Sequence, residues 1–269
     1  MPKLSIITIN FNDESGLEKT IQSVISQTVS DFEFIIIDGG STDNSVNVLN
    51  QFADKITSWI SEKDKGIYDA QNKGIEKASG DYLLFLNSGD CLYNENVLKD
   101  FYNFSSNNHR KIIYGNANVL NKDGSSYIVI PPQKIDINFW YASTLTHQAV
   151  FIEKKLFKKY GFYNTEYKFG ADFDFLFNMF LKETSEFVHF DQFICNYDNT
   201  GLTSQDQYHK MIIAEKRVII KSYLSRRQFN RIRKNYLSGL SFKRRYTVII
   251  RENAFLRTLL KPFYKLFFS

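Results

Sequence analysis

Four short apolar runs, separated by stretches with helical spacing, most constrain what this chain can fold into. Leu4-Ser5-Ile6-Ile7-Thr8-Ile9 is the first run and Phe32-Glu33-Phe34-Ile35-Ile36-Ile37 the second. Ile56 to Ile60 makes a short third, and Tyr82-Leu83-Leu84-Phe85-Leu86 the fourth. Such runs read as strands buried on both faces. Between them, apolar residues recur at helical intervals: Leu17, Ile21, Val24 and Ile25, then Val46, Leu49 and Ala53, then Ile67, Ala70, Gly74, Ile75 and Ala78. Ser15-Gly16-Leu17-Glu18 fits a capping box for the first helix, and Gly80 stops the third. Strand and helix in alternation specify a parallel sheet with crossover helices. Right-handed crossovers bring every strand's C-terminal end to one edge. Asn10, Asp38 and Asp90 each lie just past such an end, so strand order alone gathers them.

That edge is where open α/β sheets bind ligands. The fourth run stops in Asn87-Ser88-Gly89-Asp90. A hard carboxylate oxygen there suits Mg²⁺ or Mn²⁺, and through it a diphosphate. The same four residues are also ordinary turn chemistry. The loop after Asp38 is not G-x-G-x-x-G, and the chain has no Walker A pattern, which disfavours those two phosphate-binding classes.

After about residue 110 the alternation loosens. Ile112-Ile113-Tyr114 and Tyr127-Ile128-Val129-Ile130 read as strands around a Lys122-Asp123-Gly124 turn, and Ala149 to Ile152 as another. Phe173, Leu176, Phe177 and Phe180 form a helical stripe beginning beside Asp172 and Asp174. Charge marks a boundary near residue 205. Residues 1–209 carry 18 Lys/Arg against 27 Asp/Glu, and residues 210–269 carry 16 against 2. An acidic body with a basic tail points to a polyanionic surface as partner. Cys91 and Cys195 are too few for a disulfide framework or a structural zinc site, which points to a reducing cytoplasm. Neither a signal peptide nor a membrane-spanning run is expected.

Four segments resemble the family 2 glycosyltransferases, inverting sugar transferases of the GT-A fold, over roughly residues 3–200. They are Ser5 to Asn12, Ile37 to Asp43, Asp64 to Gly74 and Leu86 to Asp90. The third looks like a segment of the bacterial polysaccharide-assembly branch. The resemblance implies an α/β fold with a mixed GT-A sheet flanked by helices. It divides residues 1–205 into a nucleotide-sugar half, about 1–110, and an acceptor half, about 111–205. It places Asp38 against the base or ribose of a nucleotide-diphosphate sugar, bordered by Ile9, Phe11 and Asn12. Asp64, Lys65 and Asn72 line the same cleft, with Lys65 facing the diphosphate, and Asn87 and Ser88 lie beside it. Gly39 stands where some relatives carry a second Asp, and Ser88 where they carry the first acid of D-x-D. Asp90 is left as the ligand for Mn²⁺ or Mg²⁺. Asp172 matches the catalytic base, while Asp174 and His147 are assigned to the acceptor side, with the diphosphate as the other contact open to His147. Helix capping for Asp172 and Asp174, and a structural role for His147, are the plainer alternatives.

The implied reaction moves a sugar, from a UDP-sugar as the leading donor, to a glycan or polyprenyl-linked acceptor in surface polysaccharide synthesis. Two other readings stand beside it: a sugar nucleotidyltransferase, and a membrane-docked adaptor with a degenerate nucleotide cleft. Residues 206–269 read as a basic amphipathic helical extension. Met211, Ile212, Ile213, Val218, Ile219, Ile220, Tyr223 and Leu224, and later Phe255 to Phe268, supply its apolar side. Dense Phe and Leu among basic residues favours an anionic membrane surface over a packed helix, and either over nucleic acid. The expected location is cytoplasmic, peripheral on the inner face of the cell membrane. A dimer interface is the remaining use for the tail.

Overall fold

The computed structural model of the protein describes residues 3–201 and 205–240. The chain forms two compact units, Met1–Ile135 with Leu145–Ile219, and Asp136–Thr144 with Ile220–Ser269. They divide after Ile219 rather than near residue 205.

The first half of the larger unit runs β1 (Leu4–Asn10), α1 (Glu14–Ile25), β2 (Phe32–Asp38), α2 (Ser45–Gln51), β3 (Ser58–Ser61), α3 (Ile67–Lys77) and β4 (Tyr82–Phe85). The four strands are parallel in the order β3-β2-β1-β4, with Asn10 level with Asp38 and Asp38 level with Ser61. The strand ends therefore share one edge, as the alternation requires. β1 and β2 are buried almost throughout. The first helix departs from expectation at its start. Asp13, not Ser15, is the N-cap, and its carboxylate accepts from the Gly16 backbone N–H at 3.1 Å.

The chain continues through β5 (Cys91–Leu92), α4 (Val97–Asn107), β6 (Ile112–Leu120) and β7 (Ser126–Val129), then α5 (Ile137–Ala142) in the smaller unit. β8 (Val150–Glu153), α6 (Lys154–Tyr160), α7 (Ala171–Glu183) and β9 (Phe187–Asp198) follow. β8 pairs antiparallel with both β4 and β6, while β9 runs parallel to β6. Among the described residues nine strands form one mixed sheet. α8 (Asp206–Tyr223) and α9 (Arg226–Ser238) end the described chain.

Aromatic residues fill the space between α3, α6 and α7. Phe157 stacks on Phe175 at 4.2 Å, Tyr163 packs on Phe85 at 5.5 Å, and Tyr68 lies 5.7 Å from Tyr163. Such rings add attraction beyond their buried area. Their arrangement also fixes Tyr68.

At the opposite end of β1 and β2 sits a buried carboxylate. Glu33 accepts from the Ser5 and Ser79 hydroxyls at 2.5 Å each and from the Ser79 N–H at 2.7 Å. Burial works to raise its pKa, but these bonds and Lys3 outweigh it and hold it at about 2. A carboxyl depressed from 4.5 to about 2 on folding stabilises the protein fully above pH 4.5 and loses that contribution as pH falls toward 2. Glu33→Gln is expected to cost about 2 kcal/mol at pH 7 in urea unfolding and to flatten the stability loss between about pH 4.5 and 2. A variant with wild-type acid sensitivity would assign that sensitivity elsewhere.

Candidate active site

Asp38 is wholly buried and organises the sheet edge. Its Oδ1 accepts from Asn10 Nδ2 at 2.7 Å and Ser41 Oγ at 2.5 Å. Its Oδ2 accepts from the Ser41 N–H at 2.9 Å and Ser61 Oγ at 2.6 Å. Burial raises its pKa, but the Ser41, Ser61 and Asn10 bonds more than offset this and keep it below the ordinary value. A carboxylate so occupied ties three strand ends together. The direct nucleotide contact expected of Asp38 has no accessible oxygen here.

Asn10 passes the connection on, accepting from Ser88 Oγ at 2.7 Å, while the Ser88 N–H donates to the Ile9 carbonyl at 3.0 Å. Asn12 adopts φ 51° and accepts from the Thr42 N–H at 2.8 Å. Asn tolerates that left-handed backbone better than most residues. The bend leaves Phe11 63% exposed at the rim. Beside it, a Cβ on Gly39 would lie 2.4 Å from Asp64 Oδ2 and 3.3 Å from Phe11. Asp64 thus fills the space that a second Asp at position 39 would need. Lys65 is exposed.

Asn72 is engaged elsewhere. Its side chain donates to the Tyr163 carbonyl at 2.9 Å and accepts from the Tyr163 N–H at 3.0 Å, so it anchors the aromatic cluster instead of bordering a nucleotide.

The turn after β4 is built around Asp90, only 2% exposed. Asp90 Oδ1 accepts from the Asp198 N–H at 2.9 Å, and Oδ2 from Gln148 Nε2 at 3.0 Å and the Asn87 N–H at 3.1 Å. Burial pushes its pKa up to about 6, against these bonds and the His147 charge. Gly89 has φ 93°, and a Cβ there would stand 2.8 Å from Asp198 Oδ2, so both backbone and space call for glycine. The expected Mn²⁺ or Mg²⁺ ligand therefore has both oxygens engaged within the protein. Among the described residues no three His, Cys, Asp or Glu side chains are grouped to hold a metal ion. This donor set does not fit a ready-made cation site.

His147 and Gln148 begin a 3-10 turn (His147–Ala149) before β8. Gln148 reaches Asp90, and His147 Nδ1 reaches Asp172 Oδ2 at 3.2 Å. A carboxylate only accepts, so Nδ1 carries the proton. Asp172 sits in the first turn of α7, and its Oδ1 accepts from Tyr68 OH at 2.8 Å. Burial raises the Asp172 pKa, but the bond and charge of His147 and the Tyr68 bond bring it below the ordinary carboxylate value. The helix N-terminus acts in the same direction. For His147, burial opposes the charge, yet Asp172 and the more distant Asp90 hold its pKa above the usual value. His147 Nε2 faces Asn87 Nδ2 at 3.4 Å, and Asn87 Oδ1 faces Gln71 Nε2 at 3.4 Å. Tyr68 and Gln71 lie three residues apart on α3, one helical face holding both ends of the chain of contacts.

The structure thus joins Asp172, His147, Asn87 and Asp90 in one network, while Ser88 is bonded to Asn10 and Ile9 on the strand-end side. Asp174 lies two positions beyond Asp172 in the first turn of α7. Tyr68, Gln71 and Gln148 were missed as site residues. The first two lie at i and i+3 within the Asp64–Gly74 segment, and Gln148 adjoins His147, so neighbouring positions held the signal.

The family model for Glycosyl transferase family 2 matches residues 5–164. An uncharacterized glycosyltransferase of Mycobacterium tuberculosis is 34% identical over 76% of this chain and 78% of its own length. A PGL/p-HBAD biosynthesis glycosyltransferase of the same species is 29% identical over 74% and 78%. Residues 1–349 of S. aureus TarS, solved in complex with UDP-GlcNAc, superpose with a TM-score of 0.65 at 18% identity, covering 87% of this chain and 71% of that one. The chain spans 43% of a longer TarS structure. The mannosyltransferase PcManGT from Pyrobaculum calidifontis, in complex with GDP-Man and Mn²⁺, superposes at 0.63 with 12% identity, covering 98% and 80%. These structural likenesses establish the GT-A fold. With the family model covering more than half of its length, the chain belongs to glycosyltransferase family 2.

Proposed function

We propose that the protein transfers a single sugar, with inversion, from a nucleotide-diphosphate sugar to a glycan or polyprenyl-linked acceptor in surface polysaccharide assembly. The observation that carries this reading is the Asp172–His147 pair beside the Asn87–Asp90 turn, at the edge where the parallel strands end. Inverting transfer needs a base within hydrogen-bond reach of the acceptor hydroxyl and opposite the leaving diphosphate. The pair is a base system of that kind, with Asp172 at the base position. The exposed Phe11 ring offers a stacking face for the nucleobase, and Asp64 an acceptor for its edge. Lys65 supplies a cation to the diphosphate. UDP is the favoured nucleotide because TarS, on the same fold, was solved with UDP-GlcNAc and with UDP. The PGL/p-HBAD biosynthesis relatives support a lipid-linked or glycan acceptor.

A nucleotidyltransferase would need a Gly-rich basic loop after β1. Asn10-Phe11-Asn12-Asp13 instead packs on Ser41 and Thr42. An adaptor would have no use for a His–carboxylate pair placed beside the turn at the strand-end edge. Incubation with a panel of UDP-, GDP- and dTDP-sugars and membrane lipid is expected to release nucleoside diphosphate, and Asp172→Asn to lower that release at least about 100-fold with the fold intact. Pyrophosphate release would indicate the nucleotidyltransferase, and no turnover the adaptor.

The same reading places the protein on the inner membrane face. Among the described residues no helix is long and apolar enough to span a membrane. Within the smaller unit, α9 buries Ile232 and Leu237, and its Phe229 and Tyr236 pack on Tyr141 of α5 at 5.8 and 5.2 Å. Arg227, Arg231 and Lys234 lie exposed together on another side of the helix. The apolar face being used internally, the contact with lipid is one of charge. Ile219 and Ile220, expected on the membrane side, are buried in the protein, and Phe255 to Phe268 lie outside the described residues. Reversing the three charges (R227E/R231E/K234E) should weaken binding to phosphatidylserine vesicles at least about tenfold, at about 1 kcal/mol per charge. Undiminished binding would remove α9 from the account.

A further inference from the structure

Resting on the transferase reading, we infer that Tyr68 is a positioning residue for the reaction: its hydroxyl sets the angle at which the Asp172 carboxylate meets the acceptor hydroxyl. Three observations lead there.

The first is the way Asp172 is held. Its Oδ1 accepts from Tyr68 OH at 2.8 Å and its Oδ2 from His147 Nδ1 at 3.2 Å. A carboxylate bonded at one oxygen can still turn about its own axis. Bonded at both, from α3 and from the turn before β8, it is fixed in plane and tilt. Each oxygen has two lone-pair sites, so one on each is left for an incoming hydroxyl.

The second observation is rigidity at both ends of the Tyr68 bond. Tyr68 is buried, in the first turn of α3. Its ring lies 5.7 Å from that of Tyr163, and the Tyr163 ring lies 5.7 Å from Phe175 of α7, the helix that carries Asp172. Asn72, one turn after Tyr68 on the same face of α3, clamps the Tyr163 backbone with bonds of 2.9 and 3.0 Å. One aromatic residue thus braces both the donor and the acceptor of this bond.

The third observation is the hydroxyl itself. The aromatic cluster needs only a ring, which phenylalanine would supply. A phenolic hydroxyl taken out of water costs free energy unless it is bonded. Among the described residues, Asp172 is the partner of this one. Burial, and then the Asp172 charge, push the Tyr68 pKa well above its ordinary value, so Tyr68 stays a donor throughout the neutral range.

The donor side does not depend on that hydroxyl. Asp64 Oδ1 accepts from the Gly66 N–H at 2.8 Å, and the Lys65 N–H donates to Asp69 Oδ2 at 3.0 Å. The loop before α3 keeps its shape through its own bonds. Losing the hydroxyl therefore acts on turnover and leaves nucleotide binding in place.

The titratable groups facing Asp172 are His147 from the turn before β8, Tyr68 from α3 and Tyr163 from the segment between α6 and α7, with Asp90 behind His147. Burial disfavours the charged carboxylate, and the His147 and Tyr68 bonds outweigh it. A bond to the charged form lowers a pKa, so removing the Tyr68 hydroxyl raises that of Asp172. A base acts only when unprotonated, so the acid limb of the rate profile moves to higher pH.

Tyr68→Phe in the full chain keeps the ring and removes the bond. We expect kcat for nucleoside diphosphate release to fall roughly ten- to a hundredfold, the size of a hydrogen bond to a charged group, while UDP affinity by calorimetry stays within about twofold of the wild type. Far-UV circular dichroism and Tm check that the variant is folded. The inference is overturned by a kcat within about twofold of the wild type, by a loss of kcat matched by an equal loss of UDP affinity, or by a lower kcat with the acid limb unmoved. No release from any donor in the wild type would overturn the transferase reading, and the inference with it. Release by the wild type with Tyr68→Phe unaffected would overturn the inference alone.

Discussion

Two consecutive side chains hold the site together. His147 bonds Asp172 at 3.2 Å, and Gln148 bonds Asp90 at 3.0 Å. Buried carboxylates are costly unless each is paired or well hydrogen-bonded, and these two lie on elements far apart in sequence. The short turn before β8 answers both with one dipeptide. It follows that the His147–Asp172 pair and the turn after β4 are not independent. Asn87 belongs to both, touching His147 through its amide and Asp90 through its backbone. A ligand that displaces the turn acts on the imidazole directly.

A second set of bonds gives that dipeptide a fixed frame. Asp38 gathers donors from β1, from the loop after β2 and from β3, and Asn10 carries the connection to Ser88. The strand ends become one rim, against which Phe11 and Asp64 stand as surface features. The space beside Gly39 that a side chain at position 39 would need is taken by the carboxylate of Asp64, from a different loop.

Much of this was legible in the sequence because period reports burial. β1, β2 and β4, the stripe of α7 and the hairpin of β6 and β7 follow from spacing alone. Helix and strand order likewise put Asn10, Asp38 and Asp90 on one edge. Spacing does not report partners. Asn72 lies in a segment resembling a nucleotide-binding one, yet its amide is committed to Tyr163, 91 residues away. Tyr68 bonds Asp172 across 104 residues, and nothing local to either marks the pair. The same limit applies to Asp38, whose position was foreseen but whose four donors were not. The start of α1 is a local failure: the capping box was read at Ser15, and Asp13, two residues earlier, is the N-cap.

The central claim is that the donor nucleotide lies along this rim. A crystal structure of the protein soaked with UDP tests it most directly. The account predicts the uracil between Phe11 and Asp64, with the diphosphate over the Asn87–Asp90 turn and within reach of His147. Nucleotide bound away from that rim, or with Asp38 released from Ser41 and Ser61 to take the base, would contradict it.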